Sequence, residues 1–324
     1  MKAAIYSRYG PPDVVQITDV EKPVPKDDEV LIKVRAASVN PLDWRLMRGV
    51  PPILHLLFRM RKPTITQPGR PGRDVADQVE AVGRDVKQFK PGDKVFGWCR
   101  GAFAEYACTS ESALVVKRDK VTFEQAASVP VAALTALQGL REKGQIQPGQ
   151  KVLINGAAGG VGTFAVQIAK SFGADVTGVC STRNVDMVRS IGADQVIDYT
   201  QEDFTKSEQR YDLILDCVGN HSLSACRRVL NPNGICVIAG APKNLGLFLT
   251  RAITGPVLSR FVSQKFFMFI VKLRKEDLTI MQELIGAGKV TPIIDRRYSL
   301  SEVPEAIRYL EAGHARGKVV ITLE

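Results

Sequence analysis

The sequence predicts an α/β protein in which a small antiparallel β domain is joined to a doubly wound parallel sheet. Up to about residue 121, apolar and polar residues alternate in short runs separated by proline and glycine, which is typical of antiparallel strands. From residue 151, strand-like and helix-like segments follow one another, which is typical of βαβ units. The length of 324 residues allows two domains.

The first domain is predicted from four strand-like runs. These are VVQITDV at 14–20, EVLIKVRAA at 29–37, DVADQVEAVG at 74–83 and FAEYACT at 103–109. Between Gly49 and Pro71 the alternation is lost and four prolines occur, so we expect a long loop there.

The second domain begins where the period changes. The segment 122–144 has apolar residues at helical spacing and ends in glycine, so a helix is expected to enter the second domain there. The last strand-like run, GKVVITL at 317–323, is expected to return to the first domain. We therefore predict a catalytic domain formed by residues 1–121 and 290–324, and a nucleotide-binding domain formed by residues 122–289.

The composition is that of a globular protein, with 45% hydrophobic and 24% charged residues, which excludes disordered and collagen-like chains. The net charge of +10 is concentrated, because residues 45–62 and 243–275 together hold twelve basic residues and no acidic one. Both segments are also apolar, so peripheral contact with an anionic membrane is one interpretation. Ordinary helices with solvated lysine and arginine around a buried face explain the pattern slightly better.

Six cysteines are scattered without a CxxC pair, which favours a reduced cytoplasmic setting. The start, MKAAIYSRYG, lacks an apolar run followed by a small-residue cleavage site, so we expect no export signal. Basic residues are not interleaved with aromatic ones as in a nucleic-acid groove, so we expect no nucleic-acid partner.

A glycine-rich turn follows the strand-like segment KVLIN and precedes a helical pattern. Residues 156–162 read GAAGGVG, with Ala157 in the first glycine position of the dinucleotide pattern. Small residues allow the backbone to approach a pyrophosphate, whose charge is met by amide groups at the helix N-terminus. The turn predicts cofactor contacts from Gly159, Gly160 and Val161, the alternative being a turn that only tightens strand–helix packing.

The end of the next strand distinguishes NADPH from NADH. Sites for NAD have an acidic residue there to bind the ribose hydroxyls, whereas this chain has CSTR at 180–183. Ser181 and Arg183 are suited to a 2′-phosphate, and Tyr199 after the third strand adds a hydroxyl. The alternative for Arg183 and Tyr199 is a solvated surface role. We expect NADPH as the cofactor.

Seven segments spread over nearly the whole chain form an ordered set of motifs. They are SVNPLDWRLMRG at 38–49, PGRDVADQVEAVG at 71–83, FKPGDKVFG at 89–97, ASVPVAALTALQGL at 127–140, NGAAGGVG at 155–162, IGADQVIDY at 191–199 and GHARGKVVI at 313–321. In this set the chain resembles the medium-chain dehydrogenase/reductase superfamily, specifically its zinc-independent quinone oxidoreductase and enone (alkenal) reductase branch. The resemblance implies a GroES-like β domain, a Rossmann domain inserted before the last strands, and an active-site cleft between them.

Zinc-dependent members of this superfamily hold a catalytic metal with a Cys, a His beside a Glu, and a second Cys. By resemblance, those places are held here by Asn40, by Arg73 and Asp74, and by the apolar region of Val131. Neither Asn40 nor Arg73 replaces a thiolate or an imidazole as a zinc ligand, so we expect no metal.

The resemblance also supplies the candidate catalytic residues, Asn40 and Thr135, whose segments the family places beside the nicotinamide. Asn40 would donate to or orient the substrate, the alternative being an asparagine that fixes the turn before Pro41. For Thr135 the alternative is a threonine bonded to its own helix. Four residues complete the cofactor candidates: Arg45, Val218, Gly240 and His314.

These expectations converge on an NADPH-dependent, metal-independent oxidoreductase. Its hydride acceptor would be a quinone or the β-carbon of an α,β-unsaturated carbonyl, a small lipophilic substrate. A zinc-independent alcohol dehydrogenase on the same scaffold, and a nucleotide-binding protein acting on RNA or at a membrane surface, remain alternatives. The resemblance further implies a homodimer.

Overall fold

The computed structural model describes residues 1–50, 62–239 and 254–323. They form two compact units. Unit 1 comprises Met1–Val131, Leu273–Ala287 and Pro292–Glu324, and unit 2 comprises Ala132–Lys272 and Gly288–Thr291. The α/β prediction is confirmed, with a mostly antiparallel sheet in unit 1 and a parallel sheet in unit 2.

Fifteen strands are described. They are β1 Lys2–Ile5, β2 Gln16–Asp19, β3 Glu29–Val39, β4 Asp74–Val82, β5 Lys94–Trp98, β6 Tyr106–Ser110, β7 Leu114–Val116, β8 Lys151–Asn155, β9 Asp175–Cys180, β10 Gln195–Asp198, β11 Tyr211–Asp216, β12 Leu230–Ile238, β13 Lys265–Met268, β14 Ile294–Ser299 and β15 Lys318–Thr322.

The α-helices with described bounds follow the same chain order. They are α1 Pro41–Arg48, α2 Phe123–Ala127, α3 Pro130–Gln138, α4 Gly160–Ser171, α5 Val185–Ser190, α6 Leu223–Arg228, α7 Lys275–Gly286 and α8 Val303–Glu311. Residues 254–261 are also helical.

The sheet of unit 1 has the strand order β14-β15-β3-β4-β5-β7, with β6 paired to β3, and β1 and β2 form a separate hairpin. The C-terminal strand β15 pairs antiparallel with β3, in a register that places Val319 opposite Val39. The last strand therefore lies in the same sheet as β3. The buried core of this unit includes Ile32, Val75 and Phe103.

The sheet of unit 2 is parallel throughout, in the order β10-β9-β8-β11-β12-β13. This is the order 3-2-1-4-5-6 of the doubly wound dinucleotide-binding fold. The central strands are apolar, as strands covered on both faces must be, and Leu153 and Ile214 are fully buried. Ligands bind such sheets outside the carboxyl ends of the strands, where the order reverses between β8 and β11.

The boundaries differ from the predicted ones at residues 121 and 290. Helix α2 packs on β3, β4 and β5, and α7 lies against β7, so both helices belong to unit 1. The predicted long helix is divided before Pro130, which begins α3, because a residue preceding proline disfavours helical backbone. An apolar helix face does not reveal from sequence which sheet it covers.

Several sequence-based expectations concern residues outside the described ranges. These are the cofactor candidate Gly240 and large parts of the two basic segments. Within the described ranges, no helix is both long and apolar enough to cross a membrane.

Candidate functional site

The glycine-rich turn lies at the carboxyl end of the central strand β8. The amides of Gly156 and Ala157 donate to the carbonyl oxygen of Val179, at 3.1 and 3.0 Å, which ties the turn to β9. Gly159 is the N-cap of α4, and the amide of Thr163 donates to its carbonyl oxygen at 2.9 Å. The first amides of a helix have no acceptor within the helix, so this turn offers donors to an anion.

Two positions of the turn hold glycine for different physical reasons. A Cβ on Gly162 would lie 2.1 Å from the carbonyl oxygen of Gly156, so only glycine permits this close packing of helix and turn. A Cβ on Gly159 would approach that oxygen to 3.4 Å, an ordinary contact. The space beside Gly159 is therefore available to a ligand, as the approach of a pyrophosphate requires.

The candidates Ser181 and Arg183 follow β9 at the same edge of the sheet. Ser181 begins a 3₁₀ turn, Thr182–Asn184, that contains Arg183. Asn184 is 7% exposed and its Nδ2 donates to Ser181 Oγ at 3.1 Å. The Ser181 oxygen thus accepts from Asn184, which leaves the hydroxyl hydrogen to be donated elsewhere.

Tyr199 and Val218 complete this edge of unit 2. Tyr199 follows β10, is 61% exposed, and its amide donates to Cys180 O at 3.0 Å. Val218 follows β11 and is 45% exposed. The strand registers align Asp198 with Cys180 and Asp216 with Asn155, so the candidates of unit 2 that end strands lie along one edge.

Asp216 is a residue of this edge that sequence reasoning did not identify. It is 1% exposed, and its Oδ1 accepts from Asn155 Nδ2 at 2.9 Å, from Val218 N at 3.1 Å and from Gly219 N at 2.8 Å. One carboxylate therefore shapes the loop after β11 and binds it to the end of β8. Asp216 could have been identified from the sequence, because it is an acidic residue at the end of an apolar strand in a predicted parallel sheet.

The remaining candidate of unit 2, Thr135, lies within α3 and is buried. Its predicted role beside the nicotinamide stays a prediction.

The candidate Asn40 belongs to a buried cluster in unit 1. Asn40 directly follows β3 and caps α1, and its Nδ2 donates to Asp74 Oδ2 at 2.9 Å and to Ser38 O at 3.3 Å. Its Oδ1 accepts from Lys318 Nζ at 2.7 Å. Both ends of the amide are engaged within the protein, which favours the interpretation that Asn40 orients its surroundings over direct donation to a substrate.

Asp74 is the centre of that cluster. Its Oδ2 also accepts from Ser38 Oγ at 2.7 Å and lies 3.6 Å from Lys318 Nζ, while its Oδ1 accepts from Val131 N at 3.1 Å. Burial raises the pKa of Asp74, an effect that Lys318 and the hydrogen bonds oppose. Burial lowers the pKa of Lys318, which Asp74 opposes.

Asp43 supports the same segment from the first turn of α1. Its Oδ2 accepts from the Asn40 amide at 2.8 Å and its Oδ1 accepts from the Gly72 amide at 3.0 Å. Burial raises the pKa of this carboxyl to about 6, although both hydrogen bonds and Arg73 act in the opposite direction.

The cofactor candidates Arg45 and His314 also lie in unit 1. The guanidinium of Arg45 stacks 4.9 Å from the ring centroid of Trp44, and burial lowers its pKa. His314 is exposed and precedes β15. Their predicted approach to the cofactor stays a prediction.

A metal centre finds few suitable donors here. Across the described residues, no group of three or more histidine, cysteine or acidic side chains is arranged to hold a metal ion. Of the positions assigned to zinc ligands by resemblance, Asn40 and Asp74 bind Lys318 and each other, and Arg73 is cationic. These residues do not fit a catalytic zinc, which prefers thiolate and imidazole.

The six cysteines are free thiols. Burial raises the pKa of Cys99 to about 12 and that of Cys180 to about 11, so both are neutral near pH 7 and poor nucleophiles. Both thiols are buried as small packing groups.

Two sequence profiles match the chain. The profile of the Alcohol dehydrogenase GroES-like domain matches residues 26–119, which lie in unit 1. The profile called Zinc-binding dehydrogenase matches residues 191–321.

Individual proteins match over nearly the whole chain. Quinone-oxidoreductase QR1, chloroplastic, of Triphysaria versicolor is 36% identical over 99% of this chain and 98% of its own length. NADPH-dependent alkenal/one oxidoreductase, chloroplastic, of Arabidopsis thaliana is 34% identical over 99% of this chain and 79% of its own length. The solved quinone oxidoreductase of Coxiella burnetii is 32% identical, with a TM-score of 0.88, over 100% of this chain and 99% of that one.

Proposed function

Because the chain belongs to the quinone oxidoreductase and enone reductase branch of the medium-chain dehydrogenase/reductase superfamily, we propose that it is an NADPH-dependent reductase. Oxidoreduction with a nicotinamide cofactor follows from that membership. The preference for NADPH over NADH, the substrate class and independence from metal are the parts we propose.

One observation carries the NADPH assignment. At the carboxyl end of β9, beside the phosphate turn, the chain has Ser181 and Arg183 in place of an acidic residue. Arginine binds phosphate through its fork of donors, and Ser181 has a hydroxyl hydrogen to donate because Asn184 occupies its oxygen. A carboxylate in that position would repel a 2′-phosphate.

The pyrophosphate would be held by the amides at the start of α4, with Gly159 leaving room for it. Val218 would lie beside the cofactor on the loop that Asp216 shapes. When bound, NADPH supplies a hydride to an electrophilic carbon or to a quinone.

The proposed substrates are quinones and α,β-unsaturated carbonyls. Relatives whose names state these two activities support the proposal. In such reductions the charge that develops on oxygen needs hydrogen-bond donors rather than a Lewis acid. Such a reduction therefore does not require a metal at Asn40 and Asp74, which bind each other and Lys318 instead.

The cofactor assignment is tested with Arg183→Ala, measured as dissociation constants for NADPH and NADH. We expect NADPH to bind roughly tenfold or more weakly, with little change for NADH, since a charge-assisted contact to the 2′-phosphate is lost. Arg189→Ala, on the exposed end of α5, is the matched control and should leave both constants unchanged. Equal weakening of both cofactors by Arg183→Ala would contradict the assignment.

The substrate assignment is tested by a turnover screen of quinones, enones, alkenals and alcohols with each cofactor, with and without a chelator. We expect quinones or enones to be turned over, and we expect the turnover rate to be the same with and without a chelator. Turnover of alcohols alone would favour the alternative, a zinc-independent alcohol dehydrogenase. Cellular location, dimerisation and membrane contact of this chain remain predictions. The names of the two plant relatives given above include the word chloroplastic.

A further inference from the structure

The strongest unassigned feature of the described chain is the buried cluster, which we define as Ser38, Asn40, Asp74 and Lys318. All four residues are buried: Ser38 and Asp74 are 0% exposed, Asn40 is 2% exposed and Lys318 is 3% exposed. Burying a lysine and an aspartate costs several kcal/mol unless each is paired and hydrogen-bonded. Such a cost, met by a complete set of partners, calls for an explanation beyond packing.

The sheet of unit 1 brings the cluster together. The register of β15 on β3 pairs Val319 with Val39, which places Lys318 beside Asn40 at the end of β3. The register of β3 on β4 pairs Ser38 directly with Asp74. Three neighbouring strands therefore each direct a polar group to the same point.

The cluster fixes the orientation of the Asn40 amide. An ammonium group can only donate, so the contact of 2.7 Å from Lys318 must be made to the Asn40 oxygen. The Asn40 nitrogen then faces Asp74 Oδ2 and the carbonyl oxygen of Ser38, which can only accept. No alternative rotamer of the amide satisfies these partners.

The cluster also joins the three places that the superfamily uses for metal ligands. Asn40 binds Lys318, Asp74 pairs with Lys318, and Asp74 Oδ1 accepts from the amide of Val131. A metal ion at such positions supplies a positive charge that draws its ligands together. Here the positive charge at the same positions is carried by a side chain.

We propose that the ammonium of Lys318 is an internal cation that takes the structural role of a metal ion and positions Asn40 and Asp74. Lys318 is a positioning residue, since it acts through Asn40. This inference rests on the proposed function only where it concerns turnover. The arrangement of Asn40 is a property of the chain itself.

The first test is a double-mutant cycle of Lys318→Met, Asp74→Asn and their combination, followed by thermal unfolding. Lys318→Met leaves an unpaired buried carboxylate, so we expect the unfolding temperature to fall by roughly 10 °C. The double variant has no unpaired charge and should regain at least half of that loss. Lys2→Met is the control, because the pair of Lys2 with Asp19, 2.7 Å apart, is exposed and should matter little.

The second test measures Asn40 directly. In protein labelled with ¹⁵N-asparagine, the side-chain amide of Asn40 is assigned by its loss in Asn40→Ala. We expect its hydrogen exchange to be slow in the unaltered protein and at least roughly tenfold faster in Lys318→Met and in the double variant. Recovery of stability without recovery of amide protection is the signature of positioning.

Turnover and cofactor binding separate this inference from the proposed function. We expect the double variant to bind NADPH within about twofold of the unaltered protein, since the phosphate turn belongs to unit 2, while kcat for a quinone falls roughly tenfold or more. If the unaltered protein neither binds NADPH nor reduces quinones, the proposed function fails, and the stability cycle and amide exchange still decide the role of Lys318.

Three results would overturn the inference. One is a Lys318→Met protein as stable as the Lys2→Met control. Another is a double variant with full amide protection and full turnover, which would make the cluster purely structural. The third is stoichiometric metal in the unaltered protein together with a loss of stability on chelation. If Lys318→Met does not fold, the double variant must fold for the inference to stand.

Discussion

The carboxylate of Asp216 accepts a hydrogen bond of 2.9 Å from the side-chain amide of Asn155, joining the ends of β8 and β11, between which the strand order of the parallel sheet reverses. The same oxygen accepts from the amides of Val218 and Gly219. The loop after β11 is therefore held against the strand that leads into the phosphate turn.

Replacing Asp216 with alanine is expected to weaken NADPH binding roughly tenfold, because the amides of Val218 and Gly219 lose their common acceptor and the loop is no longer held to Asn155 by that carboxylate. Asp212→Ala is the matched control at the opposite end of β11, where Asp212 accepts from Lys151 N and Asn231 Nδ2. Both variants should unfold at lower temperature, whereas only Asp216→Ala should change the dissociation constant. An unchanged constant in Asp216→Ala would refute the role of this carboxylate.

Two glycines of the phosphate turn are expected to respond differently to alanine. Gly162→Ala forces a Cβ to within 2.1 Å of the Gly156 oxygen, so the unfolding temperature should fall markedly. Gly159→Ala meets only an ordinary contact and should fold almost normally, while its methyl group occupies space needed by a pyrophosphate. Thermal unfolding and a NADPH titration of both variants check this. Normal NADPH binding by Gly159→Ala would contradict the cofactor position.

Cofactor choice should respond to Asn184, which is buried beneath Ser181. In Asn184→Asp the Ser181 hydroxyl would donate to the new carboxylate, and a negative charge would face the 2′-phosphate. We expect the NADPH dissociation constant to rise roughly tenfold and that of NADH to change little. Asn233→Asp adds the same charge at an exposed position of β12 and is the control. A parallel change for both cofactors would argue against selection at this point.

The ionisation of Asp43 should make the stability of the protein depend on pH. Its pKa of about 6 in the folded protein exceeds the ordinary value, so its ionisation opposes folding as the pH rises through 4 to 6. Above that range the penalty is complete and amounts to roughly 3 kcal/mol. The charge of Arg73 lowers the pKa of Asp43 and the charge of Asp74 raises it. Asp43 in turn raises the pKa of Lys318, against the effect of burial.

Asp43→Asn removes this dependence. The free energy of unfolding of the variant minus that of the unaltered protein should therefore be larger at about pH 7.5 than at about pH 4.5. Chemical denaturation at the two pH values measures this difference. A stability difference that is independent of pH would show that the carboxyl titrates normally.

Much of the fold could be predicted because its signals are local. The alternation of strands and helices from Lys151 to Ile238 and the turn at Gly156 to Gly162 depend on neighbouring residues, and the predicted parallel sheet is confirmed. The assignment of α2 and α7 to unit 1 depends on which sheet each helix covers, and that is a long-range choice.

The buried cluster could not be predicted for the same reason. Lys318 reads from sequence as an ordinary basic residue before an apolar strand. Only the register of β15 on β3 shows that it meets Asn40, which is 278 positions away in the chain. The sequence identified Asn40 as important but not the side chains that hold it.

The central claim is that this chain is a metal-independent reductase that prefers NADPH. The most direct test compares kcat/KM for NADPH and for NADH on chelator-treated protein with a quinone acceptor. We predict undiminished activity after chelation and a kcat/KM at least roughly tenfold higher with NADPH. Equal values for the two cofactors, a preference for NADH, or activity that disappears on chelation would contradict it.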